Sequence, residues 1–330
     1  MRIDNLFSKA LLWKEWINYR GPLGVFLAAL LGFYPGSIAL ALAQSADTAS
    51  FYTRMQTLLI RIYGGGGAPL FFVTIGLVLG LISLTKERKE NTFSLLLSMP
   101  FSRTQIFVNK FVFNSLAIVG VFLVNLLIML AMWTASVQLQ SVIEPGALLR
   151  MFGLQTMIAV GTYSFTVFFA TISGSLFAAS AFTLIFGIFP TGFASLILGN
   201  LWAISHPGLI ANLNRLMAWS LLITPATYLG PDTALTYWYI IIGGSIVLFL
   251  LSLWLFKRNK LENNGELLVF PKMYPFLKVG VAVCFGLLAG GIASSLLLTY
   301  PIVYAIILIA GTALGWLLCR LLIKVTQTAV

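Results

Sequence analysis

Long apolar runs, each about the length needed to cross a bilayer, recur from residue 22 to residue 322 of this chain. Covering about 30 Å of hydrocarbon at 1.5 Å rise per residue takes roughly 20 residues, and a backbone in lipid must satisfy its own hydrogen bonds. Helices meet that demand within one segment. Eight spans are therefore expected: Pro22 to Ala43, Ala68 to Thr85, Phe111 to Trp133, Leu148 to Thr171, Ser175 to Leu198, Leu235 to Phe256, Val279 to Leu298, and Tyr300 to Leu322. The fold class is an all-α, polytopic membrane bundle of about eight transmembrane helices. Composition agrees, since 59% of the chain is hydrophobic and only 9% is charged, against about 25% charged in soluble domains. Met1 to Arg20 lack a continuous apolar stretch followed by a small-residue cleavage site, so a cleavable signal peptide is not expected.

Charge sets the expected orientation. With the N-terminus inside, sixteen of the 20 Lys and Arg fall in cytoplasmic segments, leaving Arg54, Arg61, Arg150 and Arg215 outside. Positive charge accumulates on the cytoplasmic side of membrane proteins, so both termini are placed there. The formal charge of +11 is explained by that placement, not by nucleic acid, for which no soluble basic module is present. Cys284 and Cys319 lie inside apolar runs and read as packing residues.

Before the first span, Ile3, Leu6, Phe7, Ala10, Leu11 and Trp13 to Ile17 recur at helical spacing among Arg2, Asp4, Lys9, Lys14, Glu15 and Arg20. Residues 1–20 are read as an interfacial amphipathic helix, with Gly21 and Pro22 breaking the chain direction ahead of the bilayer. The run Gly64 to Gly67 lacks the Lys and Ser or Thr of a phosphate loop and reads as a hinge. His206, the single histidine, reads as a loop residue and not as a ligand or base. The stretch Gly199 to Asp232 around it, with an apolar part from Leu209 to Ile223, is read as an external loop that re-enters the membrane part way.

The eight spans hold no Asp, Glu, Lys or His and no Arg near a centre, which argues against an ion-coupled carrier. No nucleotide-binding loop and no paired histidine motif occur either. Glycines do recur four apart, at Gly32 and Gly36, Gly76 and Gly80, Gly286 and Gly290, and Gly311 and Gly315. Such spacing allows close helix contact, read here as contact within the chain.

The most informative segment is the loop 86–110 between the second and third spans. Lys86 to Glu90 is a charged exit from the membrane; Thr92 to Ser98 is a short helix bearing Phe93, Leu95, Leu96 and Leu97; Pro100 stops it. Ser102 and Gln105 then form a capping-box pattern at the head of the next helix. A short apolar helix between two long ones is suited to fill a groove on a soluble partner and transmit its motion.

Glu87-Arg-Lys-Glu-Asn-Thr92, Leu95-Leu-Leu-Ser-Met-Pro-Phe-Ser-Arg103 and Lys110 resemble the first cytoplasmic loop of ABC-2 type transporter permeases. That loop reads approximately E-R-E-x-G-T, L-L, L-P-[VI]-S-R, then a lysine entering a helix. Asn91 stands where the family usually has glycine; asparagine tolerates the left-handed conformation best among the remaining residues. The resemblance implies a coupling helix contacting an ATPase, with Glu87, Arg88, Glu90, Asn91, Thr92, Phe93, Leu95, Leu96, Pro100 and Arg103 as its residues. It also makes the N-terminal segment an elbow helix, with Lys14-Glu15 matching the family's Lys-Glu pair.

It further implies a division into an elbow (1–20), a six-span core (21–256), a cytoplasmic linker (257–278) and two additional helices (279–330). The linker resembles that of the eight-span Ytr-type branch. Its Lys257, Arg258 and Lys260 read equally as anchors to anionic headgroups and as a second ATPase contact. The implied partners are a cytoplasmic ABC ATPase subunit, a second permease (homodimer or heterodimer) and the lipid bilayer. No cofactor is expected in this chain, ATP being held by the partner subunit. The implied function is ATP-driven transport, in the export direction, in a bacterial cell membrane. An energy-independent channel or carrier, which would give flux without an ATPase, and a lipid-modifying membrane enzyme, which would depend on His206 or Asp232, are the rival readings.

Overall fold

The computed structural model describes residues 7–44, 52–55, 68–89, 98, 100–202, 207–229, 236–259, 265–296 and 301–328. Among these, 92% are helical and no strand occurs. Eleven α-helices follow in order: α1 Lys9–Leu31, α2 Ser37–Gln44, α3 Ala68–Lys89, α4 Arg103–Ala135, α5 Val137–Val142, α6 Pro145–Ile172, α7 Leu176–Trp202, α8 Pro207–Ile223, α9 Trp238–Arg258, α10 Tyr274–Leu296 and α11 Pro301–Thr328. Seven helical stretches among the described residues are long and apolar enough to cross a membrane. The expected second span, Ala68 to Thr85, lies within α3. The chain is a multi-pass α-helical membrane protein.

The helix does not break at Gly21–Pro22, contrary to the sequence expectation. α1 runs through both residues, with Pro22 inside it. Proline's fixed φ suits a helix, and the missing N–H costs one backbone hydrogen bond while leaving the rest of the ladder in place. A π-helical segment, Gly32–Gly36 with Pro35, joins α1 to α2, so that Lys9–Gln44 forms one helical stretch of 36 residues. At 1.5 Å per residue that is about 54 Å, well beyond the hydrocarbon thickness.

The buried and exposed sides of α1 also differ from a simple amphipathic reading. Leu11, Glu15, Tyr19 and Leu23, four apart, are buried, whereas Trp13, Trp16 and Ile17 are exposed. The aromatic side faces outward, as it would toward lipid, and the inward side carries a carboxylate.

Two compact units divide the chain: 1–168 with 228–258, and 169–227 with 259–330. In the first, α4 packs against α1, α3 and α9. α3 meets α6 at its glycines: a Cβ on Gly76 would fall 2.5 Å from the Ala159 carbonyl oxygen, and one on Gly80 2.6 Å from Thr166 Cβ. In the second unit, α10 and α11 form a hairpin, and α10 also packs on α7. Gly311 and Gly315 of α11 lie against Ala289 and Phe285 of α10, and Gly286 lies against Thr312. Three of the four glycine pairs thus serve contacts within the chain. At the fourth, a Cβ on Gly32 would meet nothing within 4 Å and one on Gly36 would fall 3.2 Å from the Leu31 carbonyl oxygen of the same helical stretch.

The segment around Leu209 to Ile223 is helical as α8, packed on α7. There Thr224 Oγ1 accepts from the Thr191 backbone N–H at 2.9 Å, next to Pro190 inside α7.

Candidate functional site at the root of the 86–110 loop

The loop leaves α3 and re-enters at α4, and both junctions lie against α1 in the first unit. The re-entry is built locally. Ser102 Oγ accepts from the Gln105 backbone N–H at 3.1 Å, and Gln105 Oε1 accepts from the Ser102 N–H at 2.7 Å. This is the expected capping box, which satisfies two otherwise orphaned donors at the head of α4. α4 then runs for 33 residues, about 50 Å at helical rise. A helix that long extends past the hydrocarbon, and its first two turns, through Lys110, lie ahead of the apolar run that starts at Phe111.

Four charged side chains converge there. Glu87, on the last turns of α3, accepts at Oε1 from Lys110 Nζ at 2.9 Å and from Lys14 Nζ at 2.5 Å. Lys110 Nζ also lies 3.2 Å from Glu15 Oε1. Two cations and two anions compensate one another. Their burial makes this compensation necessary: the side chains of Lys110 and Glu15 are each 4% exposed and that of Glu87 is 6%, while Lys14 reaches the surface at 33%. Isolated, any one of them would be costly in this setting.

Glu87 and Arg88 lie beyond the apolar stretch of α3. Burial by itself pushes the Glu87 carboxyl up, yet Lys110 and then Lys14 outweigh it and hold the carboxyl below its ordinary value. Arg88 is also buried; burial pushes its guanidinium down to about 10, with Glu87 opposing, so it stays charged at neutral pH.

Surrounding contacts fix the cluster. Asn109 Oδ1 accepts from the Ser8 backbone N–H at 3.2 Å, and Asn109 Nδ2 donates to the Gln105 carbonyl at 2.7 Å, tying the start of α1 to α4. Tyr19, one turn beyond Glu15, is 1% exposed, and its ring centroid lies 6.4 Å from that of Phe113.

The structure therefore brings together Lys14, Glu15 and Glu87 of the residues named from sequence. Pro100 is exposed. Arg103 points elsewhere, donating from Nη1 to the Lys257 carbonyl at 3.2 Å, where a cation meets the negative end of α9. Arg258, beside it, stacks over the Trp254 ring at 4.0 Å. Glu90, Asn91, Thr92, Phe93, Leu95 and Leu96 lie outside the described residues. Lys110 is the central member of the cluster; the sequence motif contains it, but sequence reasoning does not place it in the site. Its signal is a lysine directly before an apolar run and flanked by Phe107 and Phe111, a position that requires a buried counter-charge.

The arrangement ties three helices together at the loop. It joins the helix before the loop, the helix after it and the N-terminal helix through ionic contacts that a movement of the loop must carry or break. Among the described residues, no group of three His, Cys, Asp or Glu could hold a metal ion.

The chain is thus a multi-pass helical bundle with a buried ion cluster at the root of one loop. The family model of ABC-2 family transporter proteins matches residues 19–191, more than half of the chain, and the chain belongs to that family. It is a permease component, of a kind that carries no ATPase site of its own and associates with an ABC ATPase. The match takes in the loop 86–110 but not Lys14 and Glu15, and it ends within α7. No curated protein matches the chain.

Proposed function

We propose that this chain is the permease subunit of an ATP-driven exporter, paired with itself or a sister permease and driven by a separate cytoplasmic ATPase through the loop 86–110. The observation that carries the reading is the junction of α1, α3 and α4 by Lys14, Glu15, Glu87 and Lys110 at the root of a loop whose sequence resembles a coupling helix. Phe93, Leu95 and Leu96 fill a groove on the ATPase; Glu87, Arg88, Glu90, Asn91, Thr92, Pro100 and Arg103 set the position of that short helix. Closure of the ATPase on ATP tilts the helix, and the buried ion cluster passes the tilt to α1 and α4 as one body. The substrate path lies between the two permeases.

On this reading residues 1–20 take the place of the elbow, although α1 continues from them into the core without a break; 21–256 are the core, 257–278 a cytoplasmic linker and 279–330 the two helices of an eight-span, Ytr-type branch. The site of action is a bacterial cell membrane, with both termini in the cytoplasm and ATP bound on the partner subunit alone. The test is hydrolysis by the purified chain with and without its ATPase. Activity that appears only with the partner, and that rises with transport substrate, supports the reading. Robust hydrolysis by the isolated chain refutes it.

A further inference from the structure

The first turns of α1 do not run alongside α4; they cross it. Ser8, which caps the start of α1, meets Asn109, Glu15 meets Lys110, and the Tyr19 ring centroid lies 6.4 Å from that of Phe113. The step from 8 to 19 on α1, about 16 Å of helix, is thus set against the step from 109 to 113 on α4, about 6 Å. This oblique crossing lies where the apolar run of α4 begins at Phe111, the level of the membrane boundary.

The outer side of the crossing carries one stripe. Lys9, Trp13, Trp16 and Arg20, spaced by four, three and four, share a helix face. All are exposed, Trp13 by 64% and Trp16 by 47%. Two clefts adjoin here, both lined by Leu12 and Trp16. One reaches Lys9 and Trp13; the other, of about 440 Å³, extends from Phe7 to Phe113, Leu116 and Ala117 of α4, which lie inside the apolar run. A cation and two indoles therefore stand at the mouth of an apolar groove that descends into hydrocarbon.

Neither cation of the stripe has an acidic partner among the described residues. Glu15, the one acid of α1, faces inward and is taken by Lys110, while Lys14 takes Glu87. No acid lines either cleft. Exposed tryptophans suit the headgroup layer, having an apolar ring and one N–H donor, and each unpaired Lys or Arg at that level favours anionic lipid.

We propose that this face binds one anionic phospholipid of the surrounding bilayer: Lys9 holds the phosphate beside Trp13 and Trp16, an acyl chain fills the groove between α1 and α4, and Arg20 adds to the local positive potential. A soluble anion would leave the apolar groove unfilled. A zwitterionic lipid brings its own cation against Lys9 and Arg20. A second copy related by a two-fold axis along the membrane normal would set Lys9 against Lys9. The bound lipid bridges the two helices that Glu15 and Lys110 join, so the charge of the bilayer bears on the root of the 86–110 loop. Binding of this kind requires only that the chain be embedded in a membrane, and its failure leaves the transport reading untouched.

The experiment uses the full-length chain purified in detergent and incubated with equimolar phosphatidylglycerol and phosphatidylcholine, with native mass spectrometry to count the lipids retained. A diazirine-bearing phosphatidylglycerol locates the site by cross-linking. Three variants accompany the parent: Lys9→Ala/Arg20→Ala, Ala117→Phe, and Lys257→Ala, which removes an exposed cation elsewhere. Ala117 lines the groove, so phenylalanine fills it with both cations in place. Each variant is first matched to the parent in thermal unfolding. The first two act by different means, and the parent's cross-link map depends on neither.

The expected result is one phosphatidylglycerol retained in preference to phosphatidylcholine and cross-linked within residues 7–16 or 112–117. The preference falls about tenfold in Lys9→Ala/Arg20→Ala, retention falls as far in Ala117→Phe, and Lys257→Ala behaves as the parent. Equal retention of both lipids, cross-links elsewhere, or a preference unchanged in the double variant would overturn the proposal, as would one lost equally in Lys257→Ala or retention unchanged by Ala117→Phe. So would a dimer in the same spectra that Ala117→Phe dissociates.

Discussion

Lys110 Nζ lies 2.9 Å from Glu87 Oε1, although 23 positions separate the two residues and the entire 86–110 loop, apart from Lys86, leaves and returns between them. The loop is closed at its base by a buried ion pair, and Lys14 and Glu15 attach the N-terminal helix to the same point. Whatever displaces the loop acts on three helices together.

Breaking this cluster from one side is expected to be costly. Glu87→Ala leaves Lys110 buried without its nearest carboxylate, a change worth about 3–5 kcal/mol, whereas Lys14→Ala removes a partner that reaches water and costs about 1 kcal/mol. Replacing Glu87 and Lys110 together with Leu and Met should cost less than the sum of the single changes. Unfolding of these variants, and of Glu87→Leu and Lys110→Met singly, in detergent gives the comparison, and additive losses would count against a coupled cluster.

The same geometry fixes a pH dependence. Glu87 has its carboxyl held below the ordinary 4.5, so folding releases a proton near that pH. Its contribution is fully present above about 4.5 and is lost as pH falls through the lower folded value. The unfolding midpoint should lose stability through this group only below about pH 4.5. Glu87→Gln should start lower at neutral pH and show a shallower acid decline. An equally steep acid decline in that variant would remove Glu87 as the cause.

At the α3–α6 contact, alanine at Gly76 or Gly80 places a methyl against the Ala159 carbonyl or Thr166 and should destabilise by about 1–3 kcal/mol through overpacking. Gly120→Ala is the matched control, because a Cβ there meets nothing within 4 Å; helix propensity favours it by up to about 1 kcal/mol. Equal effects at all three positions would show that α3 and α6 do not pack closely in the membrane.

The proposed orientation puts Met1, Glu90, Glu262 and Val330 inside and Asp47, Glu144 and Arg215 outside. In a background with Cys284 and Cys319 replaced by Ala, an impermeant thiol reagent applied to intact cells should label cysteine at 47, 144 or 215 only. Labelling at 90 without labelling at 47 would invert the assignment.

Features set by near neighbours along the chain are legible in the amino-acid sequence itself. The capping box of Ser102 and Gln105 depends on residues three apart, and the apolar runs on composition alone. The glycine pairs at 76 and 80, at 286 and 290, and at 311 and 315 point to close contacts, though not to their partners. The ion cluster is not legible as a unit, because its contacts join residues 73 and 95 positions apart, and spacing along a chain does not say which faces of two helices meet. Resemblance singles out Lys14, Glu15 and Glu87 one by one; their meeting depends on the packing of α1 on α4. Pro22 misleads for a related reason. Proline marks a probable helix break from sequence, but the loss of one backbone hydrogen bond does not by itself stop a helix.

The central claim is that residues 92–98 couple this permease to its ATPase. Phe93→Asp and Leu96→Asp place a carboxylate where an apolar side chain fills a groove, which costs several kcal/mol at a buried contact (about 2–7 for an uncompensated polar group), while Leu96→Met preserves volume and character. The measurement is copurification of the ATPase with each variant, taken beside the thermal stability of the permease itself. Loss of the ATPase from both Asp variants, with stability unchanged and Leu96→Met behaving as the parent, is the predicted result. Normal ATPase binding by both Asp variants, or their loss of folding in place of their loss of binding, would contradict it.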